Sequence, residues 1–185
     1  MLTKNISFKN ISIKIDNSQV NKNLKFLLKE SLPLLDSLKK SYKYSYSKKL
    51  VLKLKKFSNI RIIAMGGSAL GANAIYSFLR NKIKKKFFFV NNLNINSNYF
   101  LNKKKTKNLN LIISKSGNTL ETIINANILI KKNDRNIFIT EKKNNYLRNM
   151  GLQMKAEILE HKNFIGGRYS VLSEVGMLPA ELMGL

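Results

Sequence analysis

Apolar positions change their period along the chain, and the changes mark its organisation. Residues 11–15 alternate Ile-Ser-Ile-Lys-Ile, an extended opening. Leu24, Leu27, Leu28, Leu32, Leu35 and Leu38 then recur at three-to-four spacing, one apolar helical stripe that Pro33 breaks or kinks. Residues 48–56 predict a second helix, with Leu50, Leu54 and Phe57 in register. From Asn59 onward, short apolar runs alternate with amphipathic ones. Residues 60–65, 87–90, 109–113 and 136–140 are β-prone, and 69–80, 120–131 and 144–150 read as helices between them.

Continuous apolar strands are what a parallel sheet covered on both faces requires. With strand–helix crossovers, the pattern predicts an α/β fold: a doubly wound, mainly parallel sheet flanked by helices, preceded by a helical segment. The expected organisation is a helical segment over 1–58, a ligand-binding domain over 59–160, and a glycine-containing segment over 161–185 that opens a following region. The final residues, Leu178-Pro179-Ala180-Glu181-Leu182-Met183-Gly184-Leu185, are mostly apolar, whereas domain ends are usually polar; this reads as a truncation.

Composition removes several function classes. The chain has 185 residues and no Cys, which excludes a disulfide scaffold, a zinc finger and a thiol nucleophile. No apolar run approaches a membrane span, and no signal peptide opens the chain, so a cytoplasmic protein is expected. The formal net charge is +24, which first suggests nucleic acid. Its distribution points elsewhere. Residues 1–150 hold 31 Lys+Arg and 6 Asp+Glu, in short lysine packets flanking the elements, while arginine, the usual base-edge reader, is scarce. Lys, Asn and Ile enrichment resembles a coding bias that fills a solvated face, and no specific nucleic-acid partner is expected.

Two strand-to-helix turns carry candidate chemistry. The first is Met65-Gly66-Gly67-Ser68-Ala69-Leu70-Gly71. Glycine lets a ligand approach the backbone, and Ser68 would cap the helix or donate to a phosphate oxygen; a plain tight turn with a capping serine explains the residues equally well. Neither a P-loop nor a dinucleotide fingerprint is satisfied. The second is Ser114-Lys115-Ser116-Gly117-Asn118-Thr119-Leu120-Glu121-Thr122, with four hydroxyl residues, one lysine and one glycine in a single turn. Hydroxyl donors, one cation and a helix start suit a phosphomonoester, although Thr119 could be an ordinary helix cap. Both turns would open at the carboxyl end of one sheet, where α/β proteins bind ligands.

The run Ser114-x-Ser116-Gly117-x-Thr119-x-Glu121 resembles the signature of sugar isomerase (SIS) domains, which bind phosphosugars. Lys115 after Ser114, Glu121-Thr122, Gly66-Gly67-Ser68-x-Leu70-Gly71 and Gly166-Gly167-Arg168-Tyr169-Ser170 narrow the likeness to the glucose-6-phosphate isomerase family over about residues 59–185. The resemblance implies a hexose 6-phosphate substrate and a homodimer for the full-length protein; no cofactor is expected, and no metal, because the sequence has no clustered His, Cys or carboxylate set. It implies that Gly67, Ser68, Ser114, Lys115, Ser116 and Thr119 hold the phosphate. Arg168 would then stabilise the enediolate beside the reacting carbons; the alternative is a buried arginine paired with a carboxylate. Gly117-Asn118 departs from the family's usual Phe-Thr, making the turn look more like a general SIS domain. The family's glutamate base, histidine and lysine lie after the Gly-Gly-Arg segment and have no match here, so the expectation is the N-terminal portion of an isomerase, inactive by itself. His161, the single histidine, reads as structural. A stand-alone phosphosugar-binding regulatory module is the second reading, and a basic nucleic-acid binder the third.

Overall fold

The computed structural model describes residues 17–30, 32–93, 108–131 and 133–185. The extended opening expected at 11–15 lies outside these residues. The chain falls into two compact units, 1–32 and 33–185. In the first, helix α1 spans Ser18–Lys29 and none of its residues is buried. Pro33 does interrupt the leucine stripe: it opens a short 3₁₀ turn, Pro33–Leu38, in the second unit.

The second unit contains α2 (Lys48–Leu54), β1 (Asn59–Ala64), α3 (Gly67–Phe78), β2 (Lys86–Val90), β3 (Leu109–Ile113), α4 (Leu120–Leu129), β4 (Arg135–Thr140), α5 (Tyr146–Gln153), β5 (Glu157–Glu160) and α6 (Glu174–Met183). A 3₁₀ turn, Gly167–Leu172, joins β5 to α6. The five strands form one sheet in the order β2-β1-β3-β4-β5. Every pairing is parallel, with Ile60 opposite both Phe87 and Leu109, Leu111 opposite Ile137, and Phe138 opposite Ile158.

The period-2 alternation of each strand sorts its residues between two cores. Ile60, Ile62, Leu109, Leu111, Ile137 and Ile139 pack with Leu50 and Leu54 of α2, Ala69 and Ala72 of α3, and Val175, Leu178 and Leu182 of α6. Ile63, Ile112 and Phe138 face the other way, onto Ala126 and Leu129 of α4 and Leu147 of α5. The fold is therefore the doubly wound α/β sheet expected from the sequence. The apolar composition of the last segment is that of α6, whose Val175, Leu178, Leu182 and Met183 lie in the core.

One polar row crosses this sheet. Arg61, Asn110 and Asn136 are neighbours in register on β1, β3 and β4, and all are buried. Arg61 Nε donates to Asn110 Oδ1 at 2.9 Å, and Asn110 Nδ2 donates to Asn136 Oδ1 at 2.7 Å. Asp134 closes the row, 3.1 Å from the Arg61 guanidinium and 3.3 Å from Asn110 Nδ2. Buried polar groups persist when they satisfy one another in this way. The row fixes the register of the strands whose opposite ends carry the candidate site.

β5 is absent from the sequence expectation. Its four residues, Glu-Ile-Leu-Glu, show only one fully buried position, as suits an edge strand bounded by charge.

Candidate functional site

Strand order places the two turns side by side. β1 leads to β2 on one flank and pairs with β3 on the other, so the connections diverge between β1 and β3. Ala64 and Ile113, the last residues of these strands, are register partners. Met65–Gly67 and Ser114–Lys115 therefore leave the sheet at the same level from neighbouring strands, the switch point where open α/β sheets form their ligand crevice.

The hydroxyl-rich turn is built around Ser114, which is 3% exposed. Its Oγ shares hydrogen bonds with Thr119 Oγ1 at 2.8 Å and Ser116 Oγ at 3.4 Å, and accepts from Gly117 N at 3.2 Å. Ser116 Oγ also accepts from Asn118 N. Thr119 occupies the cap position of α4, yet its side chain makes no capping bond. Three other helices of the unit do have one: Ser47 caps α2, Asn145 caps α5 and Ser173 caps α6. The two helices that begin at the crevice, α3 and α4, have no side-chain cap, which leaves their starts open to an anion.

Gly117 explains the departure from the family's usual Phe-Thr. Its φ is +69°, and a Cβ there would lie 1.9 Å from Asn145 Oδ1. That oxygen accepts from Arg148 N, Leu147 N donates to Gly117 O, and Tyr146 N donates to Asn118 Oδ1. Gly117-Asn118 thus docks the hydroxyl turn on the start of α5, leaving no room for a side chain at 117.

The glycine turn differs in detail from expectation. Ser68 is not the cap of α3: the helix begins at Gly67, with Gly66 as cap at φ +52°, so Ser68 sits buried within the first turn. The left-handed dihedral that glycine supplies at 66 moves the helix start forward by one position. Gly67 meets the third motif directly. A Cβ on Gly67 would lie 2.3 Å from Gly167 O and 2.8 Å from Arg168 N, so the two glycine turns touch backbone to backbone. Ser170 Oγ ties them, donating to Gly167 O at 2.7 Å and Gly67 O at 3.4 Å. Ser173 Oγ donates to Ser170 O, and Val171 packs against Gly71.

Arg168 is exposed and has no ion pair among the described residues, so the buried, carboxylate-paired alternative does not describe it. It lines an open cleft of about 410 Å³ with Gly67, Leu70, Gly71 and Val171. The guanidinium is therefore brought to the glycine turn with its charge uncommitted to any described carboxylate.

Lys115 is held more firmly than the sequence suggested. Its Nζ donates to Asn163 O at 2.6 Å and lies 3.6 Å from Glu141 Oε1. Asn163 precedes the Gly-Gly-Arg turn, so this lysine links the hydroxyl turn to that segment. The segment is fixed from behind by Glu174, fully buried, which accepts from Lys162 N and from the Tyr42 hydroxyl at 3.0 Å. Burial and the Glu174 carboxylate push the Tyr42 hydroxyl well above its usual range, keeping it a donor. His161 is fully buried; Nδ1 contacts Lys162 O at 3.1 Å, and Nε2 has no hydrogen-bond partner among the described residues. Glu141 and Asn145 escaped the sequence reading. The only signal for Glu141 was a single carboxylate among lysines directly after a strand.

The phosphoglucose isomerase family model matches residues 12–184. The chain belongs to that family. It is 36% identical over 146 residues to the glucose-6-phosphate isomerase of Borreliella afzelii (strain PKo), covering 67% of this chain and 26% of that protein. It is 34% identical over 137 residues to the glucose-6-phosphate isomerase of Methanocaldococcus jannaschii, covering 70% and 34%. This family member thus spans about a quarter to a third of the curated relatives it matches. In fold it is similar to a hypothetical protein from Thermus thermophilus, with a TM-score of 0.68 at 21% identity, covering 91% of this chain and 45% of the other.

Proposed function

We propose that this chain supplies the phosphate-gripping part of an isomerase that interconverts glucose 6-phosphate and fructose 6-phosphate. The observation that carries the reading is the juxtaposition, across the β1–β3 switch point, of two uncapped helix starts whose turns bear Ser68 and Ser114–Thr119. In this reading Gly67, Ser68, Ser114, Lys115, Ser116 and Thr119 surround the phosphoryl group. Backbone N–H groups and hydroxyls donate to its oxygens, and Lys115 supplies the positive charge. With the phosphate anchored there, the sugar carbons extend toward Arg168, whose guanidinium would stabilise the enediolate oxygen as a proton moves between neighbouring carbons.

That proton transfer needs a general base and acid–base partners for ring opening. Among the described residues the crevice presents none: His161 is buried behind the Lys115 segment, and Glu141 is committed to two lysines. The chain by itself accordingly binds a phosphosugar and turns it over very little, and the complete enzyme works in the cytoplasm as a homodimer. No helix among the described residues is long and apolar enough to cross a membrane.

The test is calorimetric titration of this chain with glucose 6-phosphate and with glucose. The reading requires binding of the phosphate ester, loss of affinity in Lys115→Ala, and silence toward glucose. Equal response to both sugars would refute it.

A further inference from the structure

The lysine of the hydroxyl turn already has an anion. Glu141, directly after β4, holds Lys115 at two levels: its backbone N–H donates to Lys115 O at 3.1 Å, and its carboxylate lies 3.6 Å from Lys115 Nζ. Thr140 Oγ1 donates to the same carbonyl at 3.3 Å. The Glu141 side chain is 11% exposed, so its charge is screened mainly by protein groups rather than by water. Those groups are Lys115 and Lys143, the latter at 2.5 Å. Burial pushes the Glu141 carboxyl up, but Lys143 and Lys115 outweigh it and hold it below the usual carboxylate range. Lys143 is 59% exposed and binds Glu141 from the solvent side; Lys115 binds it from the crevice side.

We propose that Glu141 is the built-in anion of the phosphate site: it occupies Lys115 in the free protein, and an incoming phosphoryl group must take that lysine from it. This deepens the phosphate-site reading above and rests on it. The exchange has a physical consequence. Lys115 Nζ is already held by the Asn163 carbonyl at 2.6 Å and the Glu141 carboxylate at 3.6 Å, so an incoming phosphoryl group that draws it away gains only the difference between the old contacts and the new ones. Lys143 remains behind to neutralise Glu141 once Lys115 has moved. The site is thereby set for modest affinity and ready release of a phosphorylated product.

Glu141→Gln tests this, because the amide keeps the side-chain volume and the backbone bond to Lys115 O while removing the charge. Titration at pH 8 with glucose 6-phosphate and with inorganic phosphate should show affinity about fivefold tighter in Glu141→Gln than in the unmodified chain. In a Lys115→Ala background the same change should yield less than about twofold. Carbon-13 titration of the Glu141 carboxyl is an independent readout. Its midpoint should rise in Lys115→Ala, and should rise in the unmodified chain when glucose 6-phosphate is bound. Binding of glucose 6-phosphate with unchanged or weaker affinity in Glu141→Gln, or a gain that persists without Lys115, overturns this proposal alone. Silence of the unmodified chain toward both phosphates overturns the phosphate-site reading and this proposal with it.

Discussion

Gly67 is where a single added carbon should separate the two glycine turns. In Gly67→Ala the new Cβ would lie 2.3 Å from Gly167 O and 2.4 Å from its carbon, inside the 3.0 Å that real Cβ atoms respect. Both obstructing atoms are backbone, so no rotamer relieves the contact, and the Gly167–Arg168 peptide must retreat by about 0.7 Å. The 3₁₀ turn is tied to α6 through Ser170 and Ser173, so it cannot retreat freely. Overpacking of this kind costs about 1–3 kcal/mol. For a chain of this size that corresponds to a fall in Tm of roughly 2–12 °C. Gly167→Ala is the matched control, since a Cβ there meets nothing within 4 Å and its φ does not lie in the left-handed region. Scanning calorimetry of both variants reads the difference, and titration with glucose 6-phosphate shows whether displacing the turn also weakens binding. Equal melting temperatures for Gly67→Ala and Gly167→Ala would show that the two turns are not in backbone contact.

Other expectations follow from the same packing. Asp134→Ala removes the carboxylate 3.1 Å from the buried Arg61 guanidinium and should cost about 3–5 kcal/mol; equilibrium urea unfolding checks this, and a loss below about 1 kcal/mol would contradict it. Gly117→Ala combines a left-handed φ with a collision against Asn145, so it should lower Tm and weaken glucose 6-phosphate binding together; a variant impaired in neither would contradict the docking of that turn on α5. Burial pushes the His161 imidazole below its usual range, and the Lys162 carbonyl and Glu174 only partly offset this. The unfolded chain therefore binds the proton first as pH falls through about 6.5, and stability declines by up to about 1.4 kcal/mol per pH unit from there until the folded ring titrates. Urea unfolding at pH 7.5 and 5.5 should show this decline in the unmodified chain and a smaller one in His161→Leu; equal declines would refute it.

The sheet was legible because its strands are buried on both faces and advertise themselves as short apolar runs with a single polar residue each, as in Ile60–Ala64 and Leu109–Ile113. Both candidate turns were legible for a local reason: glycine and clustered hydroxyls between a strand and a helix leave few other structures open. What the sequence concealed is non-local. The row Arg61–Asn110–Asn136 exists only once three separated strands are in register, and each residue alone looks like an interruption. Glu157–Glu160 joins the sheet through backbone pairing that its charged ends disguise. Ser68 read as a cap because serine favours that position, whereas the positive φ of Gly66 had already claimed it. Gly117-Asn118 looked like a drift away from the isomerase pattern, although its cause is contact with Asn145, which lies far along the chain on the start of α5. The +24 charge was the loudest feature of the composition and had least to do with the architecture, since most of the lysines lie on solvated surfaces.

The most direct test of the central claim is an amide-resolved NMR titration of this chain with glucose 6-phosphate. One phosphoryl group held across the β1–β3 crevice should shift the amides of Gly67 and Ser68 and those of Ser116–Thr119 along a single binding curve. Shifts confined to one turn, or two turns following different curves, would contradict a shared phosphate site.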